Sequence, residues 1–288
     1  MRIIFVLSIL ACRQTSQMRQ YTSSLQQDQD PDIGVSSSGV FLYSSYFGLD
    51  NTLPKAIEGL CARGANGDGM PVVFSKELDI GSVQPVDIKV TQASGNVGEV
   101  YCTTFLPAID DGELRTVLLI GEFGTKINDE PIEVEVIGNV YDHSRKHNFK
   151  GTKVQVTALA KGPFLVRAEP VRGGGNKRRT IGPQGSRCPE STKQAVRVFW
   201  SGGITKPGGK PADEQEGVLY QVVLEDSKGE RKTVHPFMLA DLGDGDNNHI
   251  LCLSETGTPI SVSFPKGHLT DPNEDASNPD TNISVTGL

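Results

Sequence analysis

Ile132-Glu133-Val134-Glu135-Val136-Ile137-Gly138-Asn139-Val140-Tyr141-Asp142 opens with apolar residues at every second position and acidic residues between them. A period of two puts one face of an extended segment into a core and leaves the other in water. The same alternation appears upstream, where Val86, Ile88 and Val90 interleave with Asp87, Lys89 and Thr91. Val72-Val73-Phe74, Val100 to Leu106 and Leu114 to Ile120 are further short apolar runs, and the last predicts a strand buried on both faces. Turn residues separate all of them. Short strands at this spacing predict a sandwich or barrel.

The words inside residues 71–150 carry a resemblance. Phe74-Ser75-Lys76-Glu77-Leu78-Asp79, then Ser82-Val83 and the strand from Asp87 to Thr91, is similar to the opening of the SbsA-type bacterial Ig-like domain. Val134-Glu135-Val136 followed by Gly138, Val140 and Asp142 resembles that family's closing segment; where the family has Gly-Asn, this chain has His147-Asn148. The resemblance implies an extracellular Ig-like sandwich serving as a spacer or adhesion module, with no catalytic residues.

The second half is again rich in strand patterns. Val196-Arg197-Val198-Phe199-Trp200 holds the only Trp, a core anchor. Val218 to Leu224 and Arg231 to Val234 flank Asp226-Ser227-Lys228-Gly229 and predict a hairpin. Ile250 to Leu253, then Ile260, Val262 and Phe264, then Ile283 and Val285 complete the series. No sequence repeat relates the halves. The expected fold is all-β, an Ig-like β-sandwich followed by a second β-sandwich-like domain.

The net charge of -7 argues against a nucleic-acid binder, whose footprint is a basic face. Met1-Arg2 and the apolar run Ile3 to Ala11 read as a signal peptide, too short to span a bilayer. Ile9-Leu10-Ala11-Cys12 resembles a bacterial lipobox, which implies lipidation at Cys12. Residues 12–38 are polar and read as a disordered tether. The expected domains are 39–170 and 188–288, joined by a basic Gly-rich linker over 171–187. The chain has 5 cysteines, and lipidating Cys12 leaves Cys61, Cys102, Cys188 and Cys252 for pairing. Three pairings are open; Cys61–Cys102 and Cys188–Cys252 are favoured because each lies within one expected domain. Each is worth about 4 kcal/mol by loop-closure entropy.

No enzyme motif is complete. Gly203 to Pro211 fails as a phosphate loop, since Pro211 stands where Ser or Thr is required. His143 and His147 lie four apart, but in a polar loop. Two acidic clusters invite calcium, which takes six to eight oxygen ligands. One contains Asp241, Asp244, Asp246 and Asn248; the other contains Asp271, Asn273 and Asp275. Asp and Asn are also ordinary turn residues. The expectation is therefore an exported, lipid-anchored protein of the bacterial outer membrane or cell surface. Its expected role is structural or binding, toward a protein or glycan ligand, with calcium as the sole cofactor. The alternative is a secreted hydrolase whose site lies in the second-half loops, with Asp244, Asp246 and His249 as participants.

Overall fold

The computed structural model describes residues 39–171 and 185–287. The expected signal peptide, Cys12, the tether and most of the basic linker lie outside the described residues. The architecture is all-β, and no helix among the described residues is long and apolar enough to cross a membrane.

Seven strands build the first half: β1 (Leu42–Tyr46), β2 (Asp68–Phe74), β3 (Ile88–Gln92), β4 (Val97–Thr104), β5 (Thr116–Glu122), β6 (Pro131–Val136) and β7 (Lys153–Thr157). They pair in the order β1-β2-β5-β4-β3-β6-β7, and β7 returns to β1 in parallel, closing a barrel. All other pairs in it are antiparallel. The interior is packed with side chains such as Leu42, Val72, Phe74, Val117, Leu119, Val134 and Phe149.

Two details depart from the alternation read in the sequence. Val86 is exposed, because Pro85 starts a 3-10 turn over Pro85–Asp87 and the strand begins only at Ile88. Ile132 is exposed too. Thr91 faces Glu133 while Gln92 faces Pro131, so Ile132 is the extra residue of a β-bulge and turns outward. Val134 and Val136 remain fully buried. The strand β5 is buried on both faces as expected. Val117 and Leu119 point into the barrel, and Ile120 packs outside against Leu53 and Cys61.

The second half contains β8 (Leu165–Pro170), β9 (Gln194–Trp200), β10 (Gln221–Glu225), β11 (Arg231–Val234), β12 (Met238–Ala240), β13 (Asn248–Leu253), β14 (Thr258–Phe264) and β15 (Thr281–Ser284). They form two four-stranded sheets, β12-β13-β9-β8 and β11-β10-β14-β15. One core lies between them, with Val198, Trp200, Leu251 and Leu253 from the first sheet meeting Val222, Leu224, Val262 and Phe264 from the second. β8, which the sequence reading grouped with the first half, pairs with β9. The hairpin at Asp226–Gly229 is present; the Asp226 carboxylate accepts from the Lys228 and Glu230 amides, and Gly229 supplies the positive φ of 82°.

Both halves follow one strand order. In the first, β1-β2-β5-β4 continues through β3-β6-β7. In the second, β8-β9-β13-β12 faces β10-β14-β15, with β11 added beside β10. Even the parallel contact between first and last strand recurs, as β1 with β7 and as the bridge Ala168–Val285.

The disulfides are Cys61–Cys102 and Cys188–Cys252, the pairing favoured from the sequence. Each fastens the connection between the half's first two strands onto the outer face of the corresponding sheet. Small apolar clusters form there, around Leu53 and Ile120 in one half and around Ala240 and Ile250 in the other.

The halves touch through polar groups. The Tyr46 hydroxyl donates to Asp271 Oδ2 at 3.2 Å, Arg115 pairs with Glu169 at 3.5 Å, and Lys126 pairs with Asp275 at 3.1 Å. Arg167 donates to the Tyr43 hydroxyl, and Arg115 lies over the Phe199 ring.

Candidate metal centre

The first acidic cluster is the connection from β12 to β13. Asp241, Gly243 and Gly245 all have positive φ, so the chain coils tightly there. Asp tolerates that conformation better than most non-glycine residues. The Asp241 amide donates to the Ser186 carbonyl at 2.8 Å, and the Ser186 amide donates to the Leu242 carbonyl at 3.1 Å. This pins the loop against the segment that leads into β9.

From the other side comes the β4–β5 connection of the first half, Asp110-Asp111-Gly112-Glu113. It closes on itself: the Glu113 amide donates to the Asp110 carbonyl at 3.1 Å, and the Asp110 amide donates to Glu113 Oε2 at 2.7 Å. Asp110, Asp241 and Asp244 each place one carboxylate oxygen within 4.8 Å of the others. Glu113 is fully buried beside them. Arg197, on β9, reaches Glu113 Oε1 at 3.5 Å and Asp241 Oδ2 at 3.8 Å, and donates to the Asp111 carbonyl.

Crowding carboxyls in a dry place penalises their charged forms. Burial, then the charges of Asp246 and Asp241, push Glu113 up to about 11. Burial, then Asp241, push Asp244 up to about 6. Burial raises Asp241 while Arg197 opposes it, and burial followed by Asp244 and Asp241 raises Asp246 well above the usual range. Arg197 is the cation that pairs with Glu113 and Asp241 here.

The other sequence-predicted ligands have different roles. Asp246 accepts from the Asn248 amide at 2.8 Å and the Asn248 side chain at 2.9 Å, and Asn247 donates to the Trp200 carbonyl. In the second cluster, Asp271 Oδ1 accepts from the Asn273 amide at 2.8 Å while Oδ2 takes the Tyr46 hydroxyl. Asp275 holds Lys126, and the Asn273 side chain donates to the Thr52 hydroxyl. That loop ties the halves together by hydrogen bonds and an ion pair.

Asp110, Glu113 and Arg197 were absent from the sequence-predicted site. The acidic turn Asp110-Asp111-Gly112-Glu113 is visible in the sequence, but nothing there says which loop it meets.

The hydrolase alternative needs a histidine beside the carboxylates. His249 instead points into the second core, where its Nδ1 lies 2.9 Å from the Tyr220 hydroxyl; that hydroxyl also accepts from Trp200 Nε1 at 2.9 Å. Burial lowers its pKa to about 4. His235 Nδ1 lies 2.8 Å from the Tyr220 carbonyl. A largely apolar cleft of ≈ 130 Å³ between the halves is lined by Tyr46, Leu49, Phe105, Leu118, Asp246 and Pro272 among others, with neither histidine in its wall. His147, in a separate loop, has its Nδ1 3.0 Å from Asp142 Oδ2.

No protein-family model and no curated protein matches the chain.

Proposed function

We propose that the chain is an exported, non-catalytic surface protein built of two Ig-like modules in tandem, with a structural or binding role toward a protein or glycan ligand. The observation that carries this reading is the shared strand order. An immunoglobulin constant-type domain has strands one, two, five and four in one sheet and three, six and seven in the other. β1 to β7 follow that order, with the two sheets joined at both edges. β8 to β15 follow it with one added strand. The SbsA-type resemblance of residues 71–150, which spans most of the first module, points the same way. Two disulfides suit an oxidising compartment such as the cell exterior. The signal-like N-terminus and Cys12 add a lipid anchor to the bacterial outer membrane or cell surface, with residues 12–38 as the tether.

Fractionation of a bacterium expressing the full chain tests the location. The expected result is envelope-associated protein whose first residue is a diacylglyceryl-modified Cys12 by mass spectrometry. A cytoplasmic protein with reduced cysteines overturns it. Incubation with isolated envelope material tests the role: saturable binding without release of soluble sugar or peptide is expected. Steady release with time would replace the binding reading with the hydrolase.

A further inference from the structure

Asp110 and Asp241 come from different halves, are 3% and 1% exposed, and yet carry carboxylate oxygens without hydrogen-bond partners. On Asp110 this is Oδ1, while Oδ2 accepts from the Gly185 amide at 3.2 Å. On Asp241 it is both oxygens. A buried carboxylate oxygen left this way is costly, because its desolvation is incompletely offset. At Asp241, Arg197 and the neighbouring Glu113 carboxyl offset part of it, but the guanidinium is 3.8 Å from one Asp241 oxygen and is shared with Glu113.

The three oxygens of Asp110, Asp241 and Asp244 converge. Their mutual separation of no more than 4.8 Å fits around one ion, since calcium holds oxygen at about 2.3–2.6 Å and spans roughly twice that. Gly185 sits against the same point: a Cβ there would lie 2.4 Å from Asp241 Oδ1 and 2.9 Å from Asp244 Oδ2. Any side chain at that position would invade the space that the carboxylates face.

We propose that Asp110, Asp241 and Asp244 bind one divalent cation at the junction of the two halves, and that calcium is the ion. The ligands are all hard oxygens, the class calcium prefers, and backbone carbonyls and water commonly complete such sites. Because Asp110 belongs to the first half and the other two to the second, binding fastens the halves to each other. The ion then acts on the assembly of the modules rather than on a reaction. This site is independent of the surface-protein reading, and either can fail alone.

Isothermal titration of the full chain with calcium chloride, after dialysis against chelator, tests it. One calcium per chain is expected, with a higher melting temperature in calcium than in chelator and weaker binding of magnesium. Asp110→Asn and Asp244→Asn should each weaken calcium at least tenfold. Asp275→Asn, in the other acidic loop, should leave affinity unchanged. Should Asp110→Asn misfold, Asp244→Asn on its half-exposed loop carries the test. No heat and no melting shift in the wild-type chain would overturn the proposal. So would a folded Asp110→Asn or Asp244→Asn variant with wild-type affinity, or a loss of binding in Asp275→Asn alone.

Discussion

The two halves use one strand order and end as different objects. In the first, β3 and β4 form a tight hairpin, so the two sheets stay joined along that edge. The parallel β1–β7 pair joins the other edge, and the result is a closed barrel. In the second, β10 turns back into β11 instead, and β12 crosses to the other sheet. One inserted strand therefore opens a barrel into a sandwich. It also creates edges, which invite pairing with other chains. β12 has only three residues, and β11 begins with the exposed Arg231 and Lys232, both of which discourage such pairing.

The largest expected effect tests whether the halves melt together. Removing Cys61–Cys102 or Cys188–Cys252 by paired Cys→Ala changes should each cost about 4 kcal/mol, since each bond closes a long loop. If the polar junction couples the halves into one unit, calorimetry will show a single transition that falls in both variants. Two transitions, only one of which moves per variant, would show that the halves unfold separately.

Two buried groups, one in each half, should respond to pH in opposite senses. His249 in the second is held neutral, its pKa lowered to about 4 by burial. Its stability contribution is present above the unfolded value of about 6.5 and is lost as pH falls toward 4, about 3 kcal/mol at roughly 1.4 kcal/mol per unit. Asp68 in the first half is fully buried, accepting from the Asn51 and Phe123 amides, and burial raises it to about 6. Its protonated form favours the folded state, so that contribution is present below about 4 and lost as pH rises through 6, again about 3 kcal/mol. The raised carboxyls of Asp241, Asp244 and Asp246 in the second half act in the same sense as Asp68, so the two contributions are read from variants. In thermal melts between pH 4 and 7, the stability of the wild-type chain relative to His249→Gln should grow as pH rises, and that relative to Asp68→Asn should shrink. A difference that stays constant with pH would contradict the reading of that residue.

A smaller effect separates the cores. Tyr220→Phe removes the hydroxyl that joins Trp200 Nε1 to His249 Nδ1 and should cost about 2 kcal/mol for the buried groups left unpaired. Trp200 fluorescence follows it directly, because the chain has no other Trp. A change below 0.5 kcal/mol, roughly the size of an ordinary surface substitution, would mean that the hydroxyl contributes nothing. The least effect belongs to the exposed pair Lys126–Asp275: Lys126→Ala should leave the melting temperature unchanged within error, because solvent screens such pairs. A clear drop would show that this contact bears on the junction.

Alternation of Val134 and Val136 with Glu133 and Glu135, the doubly apolar β5, the Asp226–Gly229 turn and the cysteine spacing were all legible in the chain, because each is a local pattern. Strand, turn and loop staple follow from residues a few positions apart, or from a count. The exposure of Ile132 was not legible, since a bulge is defined only against its partner strand. Nor was the common strand order, which leaves no shared residues when different side chains fill equivalent core positions. The acidic loop at Asp241 to Asn248 could be picked out as a candidate ligand set by its composition. Which of its members would face a common point could not. Asp246 turns back onto Asn248, whereas Asp241 and Asp244 meet Asp110, more than a hundred residues away in sequence. Short-range patterning specifies the strands and turns. Contacts between distant loops arise only when both halves are folded and packed together, so the convergence of carboxylates at the junction is a property of the tertiary structure alone.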